Sequence, residues 1–137
     1  MSWTAPKINW TSAPGQAFNN DPDYLRIKGN IEYLYALAIV LYAIFSVTEM
    51  EEVTPGTIYY PKAAFFNNIV NNVNAIKNNT YNPDGFAYMK SYIGNGVIWN
   101  YDDLNTIENN ILLLYYILQY QNNILPKLAF TLGGSDF

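Results

Sequence analysis

The residues of this chain best placed to do chemistry are two groups of carboxylates: Glu49, Glu51 and Glu52, and the adjacent Asp102 and Asp103. Two acids suffice for glycoside hydrolysis, one protonating the leaving oxygen and the other serving as base or nucleophile. Oxygen ligands alone can also hold a hard divalent cation. The Asp pair, however, opens a helical stretch, where the helix dipole favours negative charge and capping explains it. The Glu triplet reads as the solvated exit turn of the preceding helix, at the end where that dipole is unfavourable. With no His and no Cys there is no imidazole base, no thiolate and no Ser-His-Asp arrangement. Ser2, Ser12, Ser46, Ser91 and Ser135 lack a nucleophile-elbow context. Gly94-Asn95-Gly96 lacks the third glycine and the following helix of a phosphate loop. The chain is read as not an enzyme, with no catalytic residue, metal site or cofactor.

The remaining side chains with recognition chemistry are aromatic. Trp3, Trp10, Trp99 and the loop tyrosines can stack on sugar rings, but the same residue types anchor protein interfaces, and the anchor reading is preferred. Composition supports it. Half of the 137 residues are hydrophobic, 17% are aromatic and only 13% are charged, where about a quarter is usual. So little charge on so apolar a chain points to a surface that meets other protein. The net charge is −4 and the seven cations form no cluster, which argues against a nucleic-acid partner.

These residues must be carried by helices. A 3-4-3 apolar step occurs three times: Tyr24, Ile27, Ile31, Leu34; then Phe66, Ile69, Val73, Ile76; then Leu104, Ile107, Ile111, Leu114. Each is one face of a helix, and each has an Asn just before its third member: Asn30, Asn72 and Asn110. In heptad terms the apolar residues are a, d, a, d and the Asn is at g, beside the seam, where its amide can bond across to a backbone or another amide. Because the chain has 19 Asn, composition bias is the competing explanation.

The expected fold is mainly α: a three-helix bundle-like domain over 21–125, with helices at about 22–48, 61–77 and 102–123. An extended N-terminal arm covers 1–20, and a C-terminal arm or tail covers 126–137. Asp21-Pro22 supplies an N-cap and a first-turn proline, and Asp102 or Tyr101 caps the third helix. Between helices 2 and 3, Asn82-Pro83-Asp84-Gly85 marks a turn, followed by an irregular segment or small hairpin around Gly94-Asn95-Gly96. The uncharged run 33–47 reads as a helix buried on all sides by protein. At about 24 Å it is short for a hydrocarbon core of about 30 Å, so a membrane partner is not expected. The repeated apolar residues are the expected assembly seam, within and between subunits, with Trp3, Trp10, Phe18 and Phe137 as anchors by which the arms reach neighbours.

The phrases DPDYLRIKGNIEYLYAL (21–37) and NYDDLNTIENNILLLYYIL (100–118) resemble one found in tail-fibre and baseplate-associated proteins of phages that infect Gram-positive bacteria. There a Trp-containing extended segment precedes an acidic helix start and a segment like LNxIENNIxxL. Leu104-Asn105-Thr106-Ile107-Glu108-Asn109-Asn110-Ile111 matches best, with Trp99 in front. The first copy is looser, with Arg26, Lys28 and Gly29 where the phrase prefers Asn, Glu and Asn. The middle copy keeps only the apolar steps and the Asn. The resemblance covers about half the chain. It implies a structural protein located in the virion and assembled in the bacterial host cytoplasm, working as a homo-oligomer with other virion proteins as partners. A long repetitive shaft is missing, so a baseplate, collar or adaptor part fits as well as a fibre. The alternatives are a phage module binding a host-surface glycan through the 79–99 aromatics, and a small holin-like membrane protein using 33–47.

Overall fold

Each 3-4-3 step places its residues on one helix face, and burying that face is what fixes the helices. In the computed structural model, which describes residues 3–11, 20–52, 63–91 and 100–133, a π-helical turn at Asn20–Tyr24 leads into α1, Leu25–Leu41. The others are α2, Ala63–Asn79, and α3, Tyr101–Gly133. Among the described residues there is no strand. The fold is mainly helical, and the three helices pack on one another.

The helices are parallel. Arg26 of α1 meets Glu108 of α3, Tyr33 lies beside Tyr115, and Tyr42 reaches Gln121, so both chains run in one direction. Parallel neighbours need a return connection, and extended chain supplies it. Residues 43–52 (arm 2) descend along α1: Phe45 lies at Tyr35, Glu51 at Tyr24 and Glu52 at Lys28. Residues 81–91 (arm 3) descend along α3, with Ala87 at Asn110 and Lys90 at Asp103. Residues 3–11 (arm 1) descend between α1 and α3, from Trp3 at Tyr115 to Trp10 at Asn105. The chain is thus three arm-then-helix units set around the apolar seam.

Several boundaries differ from the sequence expectation. The first helix ends at Leu41, not near 48: Tyr42 turns out with φ −127° and ψ −160° while its N–H still bonds Ala38 O at 2.8 Å. The helix-averse Val47 and Thr48 are extended. What they forgo in helix is offset by Phe45 packed edge-on to Tyr35 at 5.1 Å and 88°, and by Thr48 bonded to Asn72. The run 33–47 is therefore not one helix buried on all sides; Val40 and Ile44 are 76% and 83% exposed.

The third helix is capped by Asn100 rather than by Tyr101 or Asp102. Asn100 Oδ1 accepts the Asp103 N–H at 3.0 Å while Asp103 Oδ2 accepts the Asn100 N–H at 3.3 Å, a reciprocal capping box. The helix does not stop near Asn123 but runs past Pro126 to Gly133, so 126–133 is helix and not an extended tail. A proline inside a helix costs about 3 kcal/mol through its missing N–H and ring clash; the Leu, Lys and Ala beside it are good helix formers and favour continuing. The expected hairpin and Phe18 and Phe137 lie outside the described residues.

The turn over 82–85 forms as expected. Phe86 N–H bonds Pro83 O at 3.1 Å, and Gly85 has φ +87°, a conformation L side chains rarely adopt. A Cβ there would meet only Leu113 Cδ1, at an ordinary 3.6 Å. Gly85→Ala should therefore lower stability by about 1 kcal/mol through backbone strain alone, read as a reduced urea midpoint with unchanged m-value.

Candidate functional site

An extended segment in a groove between helices has no ladder partner for its N–H and C=O groups, yet buried backbone must be hydrogen-bonded. The repeated Asn supplies the partner. Asn30 Oδ1 accepts the Thr4 N–H at 2.8 Å and its Nδ2 donates to Thr4 O at 2.7 Å. Asn72 does the same to Thr48, at 2.7 Å and 2.7 Å, and Asn110 to Ala87, at 2.9 Å and 2.8 Å. Each amide acts on one residue as a neighbouring strand would, donating and accepting at once. Asn has the right chemistry for this: Asp cannot donate when ionised, and Leu can do neither. Of the two explanations for the Asn, the bond across to backbone is the one observed. All three are at most 1% exposed.

The clamps share a sequence logic. Each Asn holds a residue 26, 24 or 23 positions earlier, in the arm preceding its own helix. One residue before each clamped position is a large side chain turned partly inward: Trp3, Val47 and Phe86. Two residues after it is Pro6, Met50 or Met89, with both methionines buried. Arms 2 and 3 also touch the helix that precedes them. Phe86 takes Lys77 Nζ over its ring at 4.9 Å, and Trp3 stacks on Tyr115 at 3.8 Å and 9°. Arm 1 packs on α3 and so joins the third unit to the first.

That closing joint is the most polar part of the interior. Asn105 forms a fourth clamp, accepting from Trp10 N–H at 2.7 Å and donating to Trp10 O at 2.8 Å. Glu108, with no exposed surface, accepts from the Trp10 indole N–H at 2.7 Å and the Lys7 backbone N–H at 3.0 Å. It also accepts from Arg26 Nε and Nη2, both at 2.7 Å, while Arg26 Nη1 donates to Asp23 at 3.0 Å. A buried carboxylate is tolerable only when its lone pairs are this fully met. Burial pulls the Arg26 guanidinium down, but Glu108 and then Asp23 outweigh it and hold its pKa above the ordinary arginine value. Raised on folding, that pKa favours the folded state below the unfolded value, and the contribution fades only as pH climbs through the folded one.

The structure places the sequence-derived residues as follows. Every member of the expected seam, from Tyr24, Ile27, Ile31 and Leu34 to Leu114, is buried inside the one chain. Trp3 and Trp10 pack as anchors on helices of their own chain, in grooves formed by α1 and α3. Trp10 is buried and its ring is accordingly closed to sugars, while Trp99 lies outside the described residues. The Glu triplet was expected at the unfavourable pole of helix 1. It lies beside the N-terminal half of α1 instead, Glu52 pairing with Lys28 Nζ at 2.7 Å, because arm 2 doubles back. Asp102 and Asp103 sit in the first turn of α3.

Asn105, Glu108 and Arg26 were missed as a cluster. One signal existed: aligned on the repeated Asn, Glu108 falls in the slot held by Lys28 and Val70, and a charge in a slot that also takes Val marks a buried pair. Among the described residues no group of three or more His, Cys, Asp or Glu could hold a metal ion, and no helix is long and apolar enough to cross a membrane. The chain matches no protein-family model, and no significant match occurs among curated proteins or solved structures.

Removing a clamp should be measurable. Asn110→Ala strips both partners from Ala87 and should cost about 1–3 kcal/mol in urea unfolding. Asn110→Asp should cost at least as much, since its second oxygen faces the Ala87 carbonyl; parental stability in the Asp variant would show that the amide nitrogen contributes nothing. Glu108→Ala leaves Arg26 and the Trp10 indole without their acceptor in the interior and should cost about 3–5 kcal/mol, visible as a large drop in Tm by circular dichroism.

Proposed function

We propose that this protein is a non-enzymatic structural component of a phage virion, a tail-fibre, baseplate or collar/adaptor part, acting through oligomeric assembly. One observation supports the reading above the others. Six of the seven fixed positions in the phrase that carries the resemblance, LNxIENNI, belong to a grip on extended chain. Leu104, Ile107 and Ile111 enter the core; Asn105 and Asn110 clamp two different arms; Glu108 takes the Trp10 indole. Such a grip is a joining device.

The grip is also indifferent to most side chains. The clamped residues are Thr4, Thr48, Ala87 and Trp10, since the amide reads main-chain N–H and C=O. A recurring phrase that fastens arms of varied sequence suits parts assembled on a common plan, and the low charge of the chain suits a surface covered by copies of itself and other virion proteins. Light scattering on the purified chain should give a discrete multiple of the 15.6 kDa subunit. A monomer persisting to the highest soluble concentration, or flanking genes unrelated to virion proteins, would count against this function.

A further inference from the structure

Two stretches of the sequence are free of charge, residues 33–48 and 109–126, and the parallel packing of α1 and α3 puts them side by side at one end of the molecule. Tyr33 accepts a hydrogen bond from Gln119 Nε2, and the Tyr42 hydroxyl donates to Gln121 Oε1 at 2.8 Å. Leu41, Tyr42, Gln121 and Ile124 line an open cleft of about 240 Å³ there. Four large apolar side chains at this end are left in solvent: Val40 at 76%, Ile44 at 83%, Tyr116 at 60% and Tyr120 at 62% exposed. The carboxylates Asp23, Glu51, Glu52, Asp102 and Asp103 gather at the other end, where the helices begin and where Arg26, Lys28 and Lys90 offset part of their charge. Measured from its clamp Asn, α3 also outlasts α1 by about twelve residues, roughly 18 Å at 1.5 Å per residue.

We propose that this face, where α1 and α3 carry no charge, is the docking surface for a second copy of the same chain. Two copies each of net charge −4 repel where these acids outnumber the cations, and that cost is lower where α1 and α3 carry no charge. A cationic partner would choose the acidic end instead. A symmetric contact presents Tyr116 and Tyr120 to the partner's matching edge, and aromatic side chains of this size are the usual anchors of such a patch. This inference rests on the assembly reading and names the face that the reading requires.

The test is the double variant Tyr116→Glu/Tyr120→Glu in the full chain, with Tyr88→Glu/Tyr101→Glu as control, since Tyr88 and Tyr101 are also exposed, at 87% and 40%, but lie on arm 3 and at the start of α3. The expected result by sedimentation equilibrium is at least tenfold weaker self-association for the first pair and parental association for the second, with circular dichroism unchanged in both. Parental mass in the first variant, or loss of association in the control alone, overturns this surface while assembly stands. A monomeric parent overturns both. Should the charged pair disturb folding, Tyr120→Cys in this cysteine-free chain is the second arm: a disulfide-linked dimer under mild oxidation supports the contact, and its absence in an oligomeric sample removes it.

Discussion

The bidentate bond between a helix Asn and the backbone of a single extended residue is the interaction on which the rest of this fold depends. Helices that all point the same way must be joined by long returns, and a return buried in a groove brings polar main chain into the interior. A sheet would satisfy it with another strand. Here each return passes alone between two helices, so a side chain must do the strand's work, and only a carboxamide offers donor and acceptor at the right separation. Without the clamps, the arms would exchange water for nothing, and the parallel arrangement would lose to an ordinary up-and-down bundle.

Parallel packing carries an electrostatic cost, since like poles of three helix dipoles lie together. The distribution of acids answers it. Asp102 and Asp103 open α3, and Glu51 and Glu52 arrive beside the start of α1 because arm 2 brings them down. Lys77 sits in the last turn of α2. A triplet that looked misplaced when read along the sequence lies at the favourable pole once the chain folds back.

Much of this was written in the spacing of residues. The apolar 3-4-3 steps identified the helices and their buried faces, because those depend on periodicity within one helix; the Asn beside each step was marked as a bond across to backbone or another amide, and its partner was not legible. The end of α1 was not legible. Whether Phe45 and Thr48 remain helical depends on Tyr35 and Asn72, the latter 24 residues further on, and local propensity holds no trace of that competition. The same applies to the site around Glu108. Its partners Lys7, Trp10 and Arg26 come from the other end of the chain, and only an alignment of the repeats hints that its position is interior.

The joint at arm 1 also sets an order of events. Arms 2 and 3 meet a helix made just before them and one made soon after. Arm 1 leaves the ribosome well before α3, yet α3 is one wall of its groove; Lys7 and Glu108 are 101 residues apart. Contacts at such separation form late, after the loop-closure entropy has been met by other structure. During translation Trp3 and Trp10 therefore emerge with no place to go and stay uncovered until α3 is complete. Arm 1 is made before its groove and closes the fold after it, so a ribosome that stalls before α3 releases a chain whose Trp3 and Trp10 have no groove to enter.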